Sequence, residues 1–208
     1  MKAKGMWMVI GICALVFAPL AISYESLWLS ELDRSILQGL REMERDGLTG
    51  FFLAVTFLGS TVGILLVTLL AVVWSSFRGR WLDALTVFVA VVGSWLLNTL
   101  LKNLFQRPRP DILHLAEADG FSFPSGHAMI GISTYAVLAF LIGRAVKGTG
   151  TKTAIAVFFG LIILLIGLSR NYLGVHDPTD IVAGYAAGIA WLCVCTCARR
   201  AAEPHIRN

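Results

Sequence analysis

The chain has 208 residues, of which 57% are hydrophobic, 11% aromatic and only 14% charged, with a mean hydropathy of +0.75. Soluble domains carry about 25% charged residues, so these proportions exclude a water-soluble globule, and the apolar content excludes a disordered chain. The net charge of +4 calls for no nucleic acid, because basic loops beside anionic lipid headgroups account for it.

About 20 apolar residues span a bilayer, and six such runs are predicted at 6–23, 51–76, 82–101, 127–143, 153–169 and 181–198. They leave short loops and no room for a soluble domain. The expected fold is therefore an all-α integral membrane protein, with six transmembrane helices in one bundle over a single domain, residues 1–208. The first run follows Lys2 and Lys4 as a signal peptide would. It continues to Tyr24 and Trp28 without a small-residue cleavage site, and is read as retained.

After the first span, Ser30 to Asp46 places Leu32, Ile36, Leu40 and Met43 on one helical stripe, with Glu31, Asp33, Arg34, Arg41, Glu42, Glu44 and Arg45 on the other faces. Ser30 and Asp33 resemble a capping start. The segment reads as a short interfacial helix or, equally, as one packed across the outer end of the bundle. Cys13 lies in the first span and Cys193, Cys195 and Cys197 in the last. Alternate positions on a helix diverge, so these three thiols cannot converge on a metal; they read as packing residues, with palmitoylation of Cys197 as the minor alternative.

Six spans put both termini on one side. That side holds Lys2, Lys4, Arg78, Arg80, Arg144, Lys147, Lys152, Arg199, Arg200 and Arg207; the other holds Arg34, Arg41, Arg45, Lys102, Arg107, Arg109 and Arg170. The positive-inside rule then predicts cytoplasmic termini.

Three polar stretches fall on the opposite, extracytoplasmic side: Lys102 to Pro110, Pro124 to His127, and Ser169 to Asp180. A Lys, Arg or Asp deep in hydrocarbon costs about 2.5–3.5 kcal/mol, and ionisable groups at span ends mark functional sites. Ser125 reads as an N-cap that leaves the amides of Gly126 and His127 pointing outward, and Gly126 lets a ligand approach the backbone. Free amides at a helix start attract phosphate. Lys102, Arg109 and Arg170 add three cations, two of them forked guanidinium groups. His176 precedes a helix beginning at Pro178, with Asp177 as its cap and Asp180 in its first turn. A carboxylate on one ring nitrogen leaves the other nitrogen's lone pair free, so His176 is a candidate nucleophile towards phosphorus, and His127 a candidate acid for the leaving oxygen. Arg107, His114, Glu117 and Asp119 share these loops and read as solvated. Phe121 and Phe123 read as lining the lipid approach or anchoring the interface.

Lys102-x6-Arg109-Pro110, Pro124-Ser125-Gly126-His127 and Ser169-Arg170-x5-His176-x3-Asp180 resemble the three signature motifs of the type 2 phosphatidic acid phosphatase superfamily. The resemblance implies a membrane phosphatase that uses no metal or other cofactor. Lys102, Arg109, Ser125, Gly126 and Arg170 would hold the phosphate of a lipid substrate. His176 would form a phosphohistidine, Asp180 would orient it and His127 would serve as general acid. Implied substrates are phosphatidylglycerophosphate, phosphatidic acid, diacylglycerol pyrophosphate and undecaprenyl pyrophosphate. A lipid phosphotransferase using the same intermediate is the alternative, ahead of a vanadate-dependent haloperoxidase or an anion transporter. Split roles for the two histidines predict a bell-shaped pH dependence.

Overall fold

The computed structural model describes residues 3–206, which places Lys2 and Arg207, both used in the charge count, outside the described residues. Regular structure among the described residues is helical throughout: α1 (Ala3–Ser23), α2 (Leu27–Glu42), α3 (Asp46–Gly59), α4 (Thr61–Phe77), α5 (Trp81–Phe105), α6 (Gly126–Ala145), α7 (Thr149–Tyr172) and α8 (Pro178–Ile206). Helices α1, α5, α6, α7 and α8 are each long and apolar enough to cross a membrane; α3 and α4 qualify only as a pair, bent by 49°. This is a multi-pass membrane protein.

The continuous span expected over 51–76 is thus broken at Ser60. Its backbone is extended (φ −69°, ψ 161°), its hydroxyl donates to the Phe57 carbonyl at 2.7 Å, and it accepts from the Gly63 amide at 3.1 Å. One serine ends α3 and caps α4. An apolar average over the window hides such a break.

Helix α2 also departs from expectation. Ser26, not Ser30, occupies its N-cap position, and its buried residues are Leu29, Asp33 and Leu37. The predicted stripe faces outward, with Leu32, Ile36 and Met43 exposed. The reason is electrostatic: Asp33 is drawn into the bundle end by partners that no hydrophobic pattern reveals.

The core forms between α5, α6, α7 and α8, where Val87, Ala90, Met129, Val137 and Ile166 are fully buried. Outward faces of α1 and α4 expose Trp7, Ile12, Leu15, Leu65, Leu69, Leu70 and Trp74, an apolar surface suited to lipid. The seam between α6 and α8 is close. A Cβ at Gly184 would lie 2.8 Å from the Ser125 carbonyl oxygen, and one at Gly188 would lie 2.7 Å from the Met129 carbonyl oxygen. Gly184 and Gly188, four positions apart, let the two backbones approach as small residues do in membrane helix pairs. The four cysteines are free; Cys195 is buried in the core and Cys197 Sγ lies 3.8 Å from Met6 Sδ, as packing roles require.

One end of the bundle is stapled by ion pairs, the Arg199–Asp83 pair among them buried. Arg199 pairs with Asp83, which also meets Arg80 at 2.6 Å, and Arg144 meets Glu203 at 2.8 Å. The opposite end carries the connections 106–125 and 173–177 and all three polar stretches.

Candidate active site

The third motif lies where α7 passes into α8. Asp177 stands at the N-cap position of α8: its carbonyl accepts from the Asp180 amide at 3.1 Å, and the Asp180 Oδ2 accepts from the Asp177 amide at 3.0 Å. These two bonds fix the Asp180 carboxylate over the chain that holds His176, while the Asp177 side chain itself meets Arg107 at 3.0 Å. The His176 Nδ1 lies 3.3 Å from the Asp180 Oδ2, as the sequence spacing predicts. His176 Nε2, on the other side of the ring, faces Arg109 Nη1 at 3.4 Å. Burial pushes the His176 imidazole down to about 4, against the pull of Asp180, so the ring is neutral at ordinary pH.

The first motif comes from the end of α5. Gln106 takes a left-handed conformation (φ 50°), ending the helix and turning the chain towards the site. Lys102 Nζ donates to the Phe121 carbonyl. Arg109 donates from Nε to the Gly120 carbonyl at 3.1 Å, from Nη2 to the Asp119 carbonyl at 2.6 Å and from Nη1 to the Val175 carbonyl at 2.7 Å. These bonds aim the guanidinium at the outer nitrogen of His176.

The second motif opens α6. Ser125 is the N-cap residue of α6, as expected, yet its hydroxyl makes no capping bond, and its Oγ is buried without a hydrogen-bond partner. Its amide donates to the Asp180 carbonyl at 3.1 Å, joining the starts of α6 and α8. At Gly126 the missing Cβ makes room for Asn98 Oδ1, which would lie 3.0 Å away, and Asn98 donates to the Pro124 carbonyl at 3.1 Å. The glycine therefore leaves room for Asn98 on α5 beside the start of α6. His127 rests against Gly59 at the bend, where a Cβ would come within 2.8 Å of its ring. Arg170, His176, Lys102 and Arg109 are its electrostatic neighbours. Arg170 is 4% exposed; its Nη1 donates to Thr56 Oγ1 at 2.8 Å, and its Nε is buried without a partner.

All eight expected site residues therefore gather at one end of the bundle. Arg107 requires correction. It is 6% exposed rather than solvated, and it meets Asp33 at 3.0 Å, Asp177 at 3.0 Å and Asp180 at 2.8 Å. The attraction of three carboxylates outweighs the cost of burying it. Phe123 is fully buried among Phe17, Tyr24 and Phe105, so it supports the loop and neither lines an approach nor anchors an interface. Glu117 and Asp119 have exposed side chains, while His114 Nε2 lies 3.0 Å from the Pro110 carbonyl oxygen.

Sequence reasoning missed Ser122, Asp33, Thr179 and Asn98. Ser122 is fully buried, donates to Asp180 Oδ2 and lies 3.2 Å from His176 Nδ1. A lone serine three positions before Ser125 carries no signal by itself. Asp33 sits in α2, far along the chain, and only its place on the otherwise apolar face with Leu29 and Leu37 could have drawn notice.

The chain is 31% identical over 177 residues to phosphatidylglycerophosphatase B of Bacillus subtilis (strain 168), covering 84% of this chain and 87% of that one. Its structure resembles the crystal structure of a transmembrane PAP2-type phosphatidylglycerolphosphate phosphatase from Bacillus subtilis, with a TM-score of 0.86 and 27% identity over 92% of this chain and 96% of that one. It also resembles the crystal structure of Aquifex aeolicus LpxE, with a TM-score of 0.64 and 25% identity over 79% of this chain and 94% of the other. Residues 83–203 match the sequence model of the PAP2 superfamily. That stretch contains every one of the gathered cations and both histidines, and the chain belongs to the PAP2 superfamily.

Proposed function

We propose that this PAP2-family lipid phosphatase hydrolyses phosphatidylglycerophosphate through a phosphohistidine on His176, without a metal ion. One observation carries the phosphate site: Ser125 Oγ and Arg170 Nε are buried without protein partners in a cluster that includes Lys102 and Arg109. Buried polar groups are almost always hydrogen-bonded, and an anion with several acceptor oxygens matches these donors. The likeness to phosphatidylglycerophosphatase B supports the headgroup.

In this reading Lys102, Arg109, Arg170, Ser125 and the amides at the start of α6 hold the phosphate and spread its charge in the transition state. Asp180 accepts a hydrogen bond from the Nδ1–H of His176, leaving the Nε2 lone pair to form the N–P bond as the ester P–O bond breaks. His127 gives its proton to the departing alkoxide. It then takes a proton from water, whose oxygen attacks phosphorus as the N–P bond breaks, releasing inorganic phosphate. The acyl chains stay in the bilayer while the headgroup reaches the helix ends.

The same reading puts six spans in the membrane, with α3 and α4 as one bent span, the termini in the cytoplasm and the site outside. The basic residues support it. Lys102, Arg109 and Arg170 serve the phosphate and Arg107 serves three carboxylates, so only Arg34, Arg41 and Arg45 oppose the inward bias. Helix α2 then lies at the outer interface, with Leu32 and Ile36 towards lipid.

The test is phosphate release from purified lipid phosphates in detergent with EDTA present. The expected result is fastest turnover of phosphatidylglycerophosphate, a labelled protein–phosphate adduct in wild type, and no turnover in His176→Ala. Full activity in that variant would remove the nucleophile, and loss of wild-type activity in EDTA would require a metal. Phosphate transfer to an added alcohol with no release to water would identify a phosphotransferase. Labelling of Glu44→Cys in intact cells tests the sidedness.

A further inference from the structure

We propose that Arg107 is a positioning residue that keeps Asp180 ionised and thereby fixes which nitrogen of His176 is free to attack. This inference rests on His176 being the nucleophile. Asp180 is fully buried, and its two oxygens divide their work. Oδ1 takes Arg107 Nη1 at 2.8 Å, while Oδ2 takes Ser122, the Asp177 amide and His176 Nδ1.

Every element around the carboxylate contributes charge. From α8 and its approach come Asp177 and His176, and from α2 comes Asp33, which shares Arg107. Lys102 on α5 and Arg109 in the following loop also feel Asp180. Arg107 is the cation in direct contact with all three carboxylates of Asp33, Asp177 and Asp180. Tyr24 closes the set, with the guanidinium carbon 5.9 Å from its ring centre.

Like charges this close cannot all remain ionised without a counter-ion. Without Arg107, the carboxylate cluster would take up protons: Asp177 first, since burial already raises it to about 7, and then Asp180, whose buried Oδ1 would have lost its guanidinium partner. Solvent can supply them through a cavity of about 590 Å³ bordered by Arg107, Arg109 and Asp177. A proton on Asp180 reverses the bond to His176: the carboxyl O–H donates to Nδ1, the ring proton moves to Nε2, and the lone pair that attacks phosphorus is gone. The wrong tautomer is known to disable a histidine whose geometry is intact.

The test compares the full-length wild type with Arg107→Gln, Arg107→Lys and His176→Ala on phosphatidylglycerophosphate, or on the lipid phosphate the wild type turns over fastest, from about pH 3 to 9. For Arg107→Gln the expected result is a kcat lower by about 100-fold at pH 7, with KM within about 3-fold. Its residual activity should climb with pH throughout that range, along an acid limb displaced upward by several units from the wild-type limb, to about pH 8–9. Arg107→Lys should recover to within about 10-fold of wild type. A wild-type pH profile in Arg107→Gln, or a loss confined to KM, would overturn the proposal. Should Arg107→Gln fail to fold, Arg107→Lys decides: a lysine serves fewer carboxylates at once, so a smaller upward displacement is expected, and an unchanged profile refutes the idea. Full activity in His176→Ala would remove the nucleophile itself; an inactive His176→Ala beside a normal Arg107→Gln would sink this inference alone.

Discussion

Thr179 donates both its backbone amide and its hydroxyl to Asp33, 146 positions away, at 3.1 and 2.6 Å. Proline at position 178 has no amide proton, so Asp33 of α2 caps the first free amide of α8 from outside that helix. Asp33→Ala removes the cap and one of three anions around Arg107. Breaking a buried pair costs about 3–5 kcal/mol, and two carboxylates remain, so the lower end is expected. Thermal unfolding in detergent measures this loss, and unchanged stability would contradict the cross-helix cap.

Gly59→Ala tests the bend between α3 and α4. The new methyl would stand 2.8 Å from the His127 ring and 2.6 Å from Ile166 Cγ2. Displacing a proton donor by about 1 Å can cost about 100-fold in rate, so kcat should fall by that order while the protein still extracts as a folded monodisperse species. Wild-type kcat would mean that the bend does not seat His127.

Ser122→Ala leaves Asp180 with one donor fewer and frees the space beside His176 Nδ1. A fall in kcat of about 10-fold is expected, with a stability loss of about 1 kcal/mol. Steady-state kinetics and melting together separate the two effects; a change in KM alone would assign the serine to binding instead.

Burial holds His176 at about 4, below an ordinary histidine at about 6.5. A lowered value keeps the attacking form at pH 7 and loses it only as pH falls through about 4. The acid limb of kcat/KM that belongs to His176 should therefore lie near pH 4, while the alkaline limb of kcat reports the proton on His127 in the complex with bound phosphate. A rate that rises steadily to pH 9 would contradict the split roles of the histidines.

Arg199→Ala loosens the far end of the bundle, where the pair with Asp83 is buried. Arg80 still meets Asp83, so a destabilisation of about 3 kcal/mol is expected. At temperatures where the variant stays folded, kcat and KM should match wild type. A specific loss of turnover there would link the two ends.

Much of this protein was legible before its structure. Apolar runs carry their own length, and the motif residues have chemistry that few other arrangements use. The bend at Ser60 was illegible because a single capping serine barely lowers an apolar average. Arg107 read as solvated because its partners sit on α2 and α8, and no local spacing joins Asp33 to Asp177. Ser125 illustrates a partial success: its position as a cap was predictable, whereas the idle hydroxyl depends on neighbours supplied by other helices.

The close seam at Gly184 and Gly188 has a mechanical consequence. It joins the helix that begins with Ser125, Gly126 and His127 to the one that carries Asp180, and the Ser125 amide bond to the Asp180 carbonyl clamps the pair at the top. A bilayer of different thickness can tilt the bundle as a body or strain the outward-facing α1 and α4. The distance between the phosphate cradle and the imidazole partner is then set by two hydrogen atoms standing in for side chains, one and two turns below the reaction, and is insulated from the lipid around it.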